Sequence, residues 1–133
     1  MRTSSASVDL RLPFASSSVG LAREQLRGWM ADQKAPANRI DEARVVLSEL
    51  VGNSVRHAAP LPDGRLLVAW RLDAGRLRLS VTDGGGSSHP HMVSAPPSAM
   101  AGRGMLIVDN LTTSWWVDRS GQRSTVHALL PLR

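Results

Sequence analysis

The chain has 133 residues, 42% of them hydrophobic, the size and composition of one soluble domain that can bury its own core. It has no cysteine, so disulfides, thiolate metal sites and cysteine nucleophiles are excluded. The net charge is +5, but the arginines are scattered, Lys34 is the only lysine, and with no tyrosine and Phe14 as the one phenylalanine there is no stacking platform, which argues against direct nucleic-acid binding.

No run is long and apolar enough to cross a bilayer. The opening "MRTSSASVDLRLPF" lacks a long apolar stretch and breaks at Pro13, which speaks against a signal peptide. A cytoplasmic protein without membrane contact is expected. In "SVDLRLPF", Val8, Leu10 and Leu12 alternate with polar residues, as in a half-buried strand. Val19, Leu21, Ala22, Leu26, Trp29 and Met30 then follow helical spacing from about Ser18 to Gln33. "KAPAN" breaks that helix. Asn38 is expected to cap the next one, with Asp41 and Glu42 in its first turn and an end near His57, before the turn-rich "AAPLPDG".

"GRLLVAWRLDAGRLRLSVTD" reads as two strands joined at "DAG". In the first, either Leu66, Val68 and Trp70 or Leu67 and Ala69 face the core. In the second, Leu77, Leu79 and Val81 alternate. A Gly, Ser and Pro-rich loop, "GGGSSHPHMVSAPPSAMAG", follows. "RGMLIVDNL" is a short helix, and "TSWWVD", the turn "RSGQ" and "RSTVHALLPL" form a closing pair of strands. The order predicts one α+β domain over 1–133. It is a two-layer sandwich of a mixed, mostly antiparallel sheet covered on one face by about three helices.

The informative stretch is "ELVGNSVRHA", Glu49 to Ala58. On a helical wheel Ala43, Val46, Leu47, Leu50, Val51, Ser54 and Ala58 share a broad face that packs on the sheet. Glu42, Glu49, Asn53 and Arg56 form the opposite stripe. Glu49 can orient or deprotonate a hydroxyl. Asn53, one turn on, offers a neutral oxygen suited to Mg²⁺ beside phosphate oxygens. Gly52 lowers helix propensity by about 1 kcal/mol relative to alanine, so a close approach to the helix is expected there. A merely solvated stripe is the ordinary alternative.

Two glycine-bearing turns add to this. In "SVTDGGGSS" a strand ends at Asp83, whose carboxylate can accept from an adenine amino group while glycine leaves room for the ring. In "AGRGMLIVDNL" Gly102, Arg103 and Gly104 open a helix whose free N–H groups suit phosphate. Taken alone, each also reads as an ordinary turn or helix entry. Neither is a GxxxxGK[ST] phosphate loop or a Rossmann GxGxxG.

In this order the three segments resemble the Bergerat-type ATP-binding fold of DNA gyrase, ninety-kilodalton heat-shock chaperones, sensor histidine kinases and mismatch-repair ATPases. The resemblance spans about Leu21 to Leu130. The small size and the tail "LTTSWWVD…STVHALL" look most like bacterial anti-sigma-factor serine/threonine kinases. The resemblance implies ATP and Mg²⁺ as ligands, Glu49 as general base and Asn53 as the Mg²⁺ ligand. It further implies Asp83 on the adenine amine with Gly85 supporting the ring, Gly102 and Gly104 on the phosphates with charge from Arg103, and Thr125 near the adenine. "GGSSHPHMVSAPPSAMA" would be the ATP lid. Ser87 stands where the family pattern has another glycine. Arg56 suits a phosphate contact; a solvated or helix-end role stays open for it and for His57. The implied function is an anti-sigma factor that phosphorylates an anti-anti-sigma, STAS-type antagonist and binds a sigma factor, with a homodimer left open. A non-catalytic ATP-binding interaction switch is the alternative, and a DNA-binding regulator a remoter one.

Other features point elsewhere only weakly. His89 and His91 with His57 lack the ligand set of a zinc site. Trp115 and Trp116 are adjacent in a strand, so one is expected in the core and one at the surface. Leu26, Trp29 and Met30 could face a partner or the domain's own core.

Overall fold

The computed structural model describes residues 7–86 and 100–133, with side chains from Met105 onward in the second stretch. The elements run β1 (Ser7–Pro13), α1 (Ser17–Asp32), α2 (Ala37–His57), β2 (Arg65–Asp73), β3 (Arg76–Asp83), α3 (Met100–Leu111), β4 (Ser114–Ser120) and β5 (Arg123–Pro131). The strands form one sheet in the order β1-β2-β3-β5-β4.

The expected α+β architecture is the one observed, with a correction. Among the described residues every strand pair is antiparallel, so the sheet is not mixed. Connectivity explains this. Hairpins make β2–β3 and β4–β5, while α3 carries the chain past one strand position to the sheet edge. The return hairpin then sets β5 against β3 in the opposite sense. The "DAG" turn has Ala74 at φ 54° and Gly75 at φ 81°, the paired positive angles that a two-residue hairpin favours.

Leu66, Val68 and Trp70 of β2 and Leu77, Leu79 and Val81 of β3 face the helices, so Leu67 and Ala69 are the outward set. Against them pack Leu26, Trp29 and Met30 of α1 and Val46, Leu47, Leu50 and Val51 of α2. Each such leucine contributes about 1.5–3 kcal/mol by leaving water. Trp29 meets Trp70 edge to face, with ring centroids 6.4 Å apart. The α1 side chains are thus core, not a partner face.

The start of α2 departs from expectation. The helix begins at Ala37 behind an extended Pro36, with no side-chain cap. The Pro36 carbonyl accepts from the N–H groups of Arg39 and Ile40 at 3.0 and 3.1 Å. Proline's fixed φ prepares the entry, so Asn38 lies inside the helix and caps nothing. Asp41 and Glu42 fall beyond the first turn, and Glu42 instead pairs with Arg39 at 3.0 Å.

The two adjacent tryptophans point to opposite faces. Trp115 lies under α3, where its Nε1 donates to Asp109 at 3.0 Å. Trp116 is on the helix-free face, stacked on His127 with the Arg78 guanidinium 5.1 Å from its ring centroid. Both are half-buried.

Candidate nucleotide site

Asp83 ends β3 and is only 5% exposed. Ser54 Oγ of α2 donates to its Oδ2 at 2.5 Å, and the Gly85 N–H donates to its Oδ1 at 2.8 Å. Burial pushes this carboxyl above the usual aspartate range. The Ser54 and Gly85 hydrogen bonds and the Arg119 charge oppose that rise. The carboxylate is therefore held at one orientation by a helix and a turn together.

Ser54 is expected on the sheet-packing face of α2, and it lies there, buried. Its role is not packing, however. A buried hydroxyl needs an acceptor, and Asp83, 29 residues along the chain, supplies it. The signal in the sequence is a lone hydroxyl among apolar positions of an amphipathic helix.

The glycines after Asp83 have a reason other than room for a ring. A Cβ on Gly84 would stand 2.1 Å from the Pro60 carbonyl oxygen, and one on Gly85 would stand 2.2 Å from that of Gln122. Gly85 also sits at φ 73°, a conformation that side chains resist. The Gly84 N–H donates to the Ala59 carbonyl at 2.8 Å, and the Ala59 N–H to the Gly85 carbonyl at 2.7 Å. The chain's own backbone thus fills the space beside both glycines and ties the loop after α2 to the end of β3.

Asn53 is 8% exposed and next in sequence to the serine that holds Asp83. An amide there has one oxygen and two N–H donors to offer a ligand. Glu49, one turn earlier, is half-buried and lines an open cavity of about 450 Å³ with Arg23, Asp41, Arg44, Val45 and Ser48. Arg56 is exposed, and its guanidinium folds back over Gly52. A Cβ there would be 3.0 Å from Arg56 Nη1, so this side chain is what approaches the helix closely.

Thr125 is placed differently from expectation. Its hydroxyl is 2.8 Å from that of Thr82, on the helix-free face of the sheet. Strand alternation turns it away from Asp83. The residue opposite Asp83 in register is Ser124, 3% exposed, and opposite Ser124 on β4 is Arg119. Gly102, Arg103 and Gly104 lie within the opening turns of α3, which begins at Met100, rather than ahead of it. Ser87, His89, His91 and the rest of the expected lid over 87–99 fall outside the described residues, while its last two residues, Met100 and Ala101, open α3. Among the described residues no three His, Asp or Glu side chains gather as a metal site. Nor, among them, is any helix long and apolar enough to cross a membrane.

Residues 12–129 match the family described as histidine kinase-like ATPase domain. No curated protein matches the chain. Among solved structures, the RsbU and RsbW domains of Rv1364c from Mycobacterium tuberculosis superpose with a TM-score of 0.73 at 22% identity, over 95% of this chain and 32% of that one. The SiaB–SiaC complex from Pseudomonas aeruginosa gives 0.69 at 11% identity, over 92% and 88%. The Acinetobacter baumannii histidine kinase AdeS gives 0.56 at 13% identity, over 95% and 68%. At these identities the likeness is one of fold, and this chain spans about a third of the first of those chains. With nearly its whole length matched and the three-helix, five-strand antiparallel architecture in common, the chain belongs to the histidine kinase-like ATPase domain family, the Bergerat-fold group that its motif order resembles.

Proposed function

We propose that this protein binds Mg·ATP and passes the γ-phosphoryl group to a serine or threonine of an antagonist protein, and that it acts as an anti-sigma factor. The observation that carries the reading is the buried Asp83 carboxylate, fixed by Ser54 and Gly85, with the nearly buried Asn53 next to Ser54 on α2. A carboxylate so held accepts from the exocyclic amine of adenine and discriminates against a base that offers a carbonyl there. Ser124, not Thr125, is the hydroxyl on the same sheet face.

The amide oxygen of Asn53 is of the kind that magnesium takes, a hard cation that keeps its other oxygen ligands from phosphate and water. Asn53 would hold it, and bound magnesium would draw charge off the phosphates. The first turns of α3, with Gly102, Arg103 and Gly104, would place backbone N–H groups and the positive end of the helix dipole against the phosphates. Arg56, on the same side of α2 as Glu49 and Asn53, would add charge there.

Glu49 lines a solvent-open cavity, which a protein hydroxyl could reach. In the transfer the acceptor oxygen bonds to the γ-phosphorus as the bond from that phosphorus to the β-bridging oxygen breaks. ADP leaves with the electron pair, and the hydroxyl proton passes to the Glu49 carboxylate. The match to a chain of the SiaB–SiaC complex supports a protein partner for this fold. An anti-anti-sigma, STAS-type antagonist and a sigma factor are the proposed partners, in the cytoplasm.

The test is incubation with γ-labelled ATP and a candidate STAS-type antagonist. Label on a serine or threonine of the antagonist supports the kinase. Saturable ATP binding without transfer assigns the protein to the interaction-switch alternative. No ATP binding refutes both.

A further inference from the structure

We propose that Arg119 is a nucleotide-binding residue of this chain, contacting the base from the β4 side of the site. The inference rests on the nucleotide reading above but concerns a residue that the sequence motifs leave out.

The argument is one of register. Asp83 of β3 pairs with Ser124 of β5, and Ser124 pairs with Arg119 of β4. Directly paired residues project to the same face, so the three form a row across the sheet. That face is the helix-covered one. On β4, Trp115 two pairs earlier bonds Asp109 of α3, and Val117 packs against the core. Core side chains fill the row's neighbours, but at this end of the sheet Arg119 is exposed. Its charge is felt at Asp83, where it favours the ionised carboxylate.

A purine whose amine meets Asp83 would have α2 on one side and the Ser124–Arg119 end of the row on the other. A guanidinium suits that place. It stacks on aromatic planes and donates to ring nitrogens, which a lysine ammonium does less well. Because the row begins at the carboxylate that reads the base, the contact is to adenine rather than to phosphate.

The experiment compares wild type, Arg119→Ala and Arg123→Ala by calorimetric titration with ATP, ADP and adenosine. Arg123 is an exposed arginine of β5 on the opposite sheet face, so it controls for loss of net charge. Arg119→Ala should weaken all three ligands by a similar factor of about tenfold, and Arg123→Ala should leave them unchanged, with both variants melting as wild type does. Wild-type affinity of Arg119→Ala for adenosine overturns the proposal, whether or not ATP binding falls. An equal loss in Arg123→Ala also overturns it, since the effect is then one of overall charge. If wild type binds none of the three, the nucleotide reading itself fails and the role of Arg119 goes with it.

Discussion

Replacing Ser54 with alanine isolates the bond that joins α2 to the end of β3. Ser54 Oγ donates to a buried carboxylate at 2.5 Å, so the variant leaves Asp83 with the hydrogen bond from the Gly85 N–H. Hydrogen bonds to charged groups contribute about 1.5–3 kcal/mol, so stability at pH 7 should fall by about that amount. For a domain of this size that lowers the melting midpoint by roughly 5–10 °C. The pH dependence gives the sharper check. The Ser54 bond favours the ionised form, so the variant's Asp83 titrates above the wild-type carboxyl, which burial has already raised. The difference in stability between the two proteins is therefore full above both folded-state values and shrinks as pH falls through them. Below both, only a bond to a neutral carboxyl is lost, about 0.5–1.5 kcal/mol. Urea denaturation at a series of pH values from 7 downward measures this. A loss below about 0.5 kcal/mol at pH 7, or one that does not change with pH, would refute the argument that Ser54 holds an ionised Asp83.

Three further substitutions probe other parts of the account. Gly85→Ala adds a Cβ 2.2 Å from the Gln122 carbonyl oxygen at a φ of 73°, so it should destabilise by more than about 2 kcal/mol, read by chemical denaturation; a near-neutral effect would contradict the packing described. Asn53→Ala should abolish the magnesium-dependent part of ATP binding while leaving the fold intact, and an unchanged response to magnesium would remove Asn53 as the metal ligand. Burial, then the nearby Arg78 guanidinium, holds the His127 imidazole below its ordinary range. Its contribution to stability is present above the ordinary imidazole value and is lost as pH falls through the lowered one. His127→Gln should flatten that acid limb, and an acid limb as steep as wild type would count against the assignment.

The sequence made periodic features legible and left tertiary ones hidden. The helical spacing of α2, the alternation in β3 and the tight turn at "DAG" all follow from local rules, and the structure has them. The face that Thr125 takes is hidden in the sequence because a shift of one residue in a strand turns a side chain to the other face, and only the register with β3 fixes which residue pairs with Asp83. The role of Ser54 depends on a partner 29 residues away, and the need for glycine at 84 and 85 depends on the Pro60 and Gln122 carbonyls. None of these partners is implied by neighbouring residues. The entry to α2 shows the same limit in miniature: Asn38 has the chemistry of a cap, but Pro36 already supplies the helix start.

The central claim is that the α2 stripe and the Asp83 turn enclose a magnesium-bound adenine nucleotide. Calorimetric titration of ATP into the purified protein, with and without Mg²⁺ and alongside Asp83→Asn, tests it most directly. One saturable site, tighter with the metal and lost in Asp83→Asn, is the predicted result. Absence of binding under both conditions, or wild-type affinity in Asp83→Asn, would contradict it.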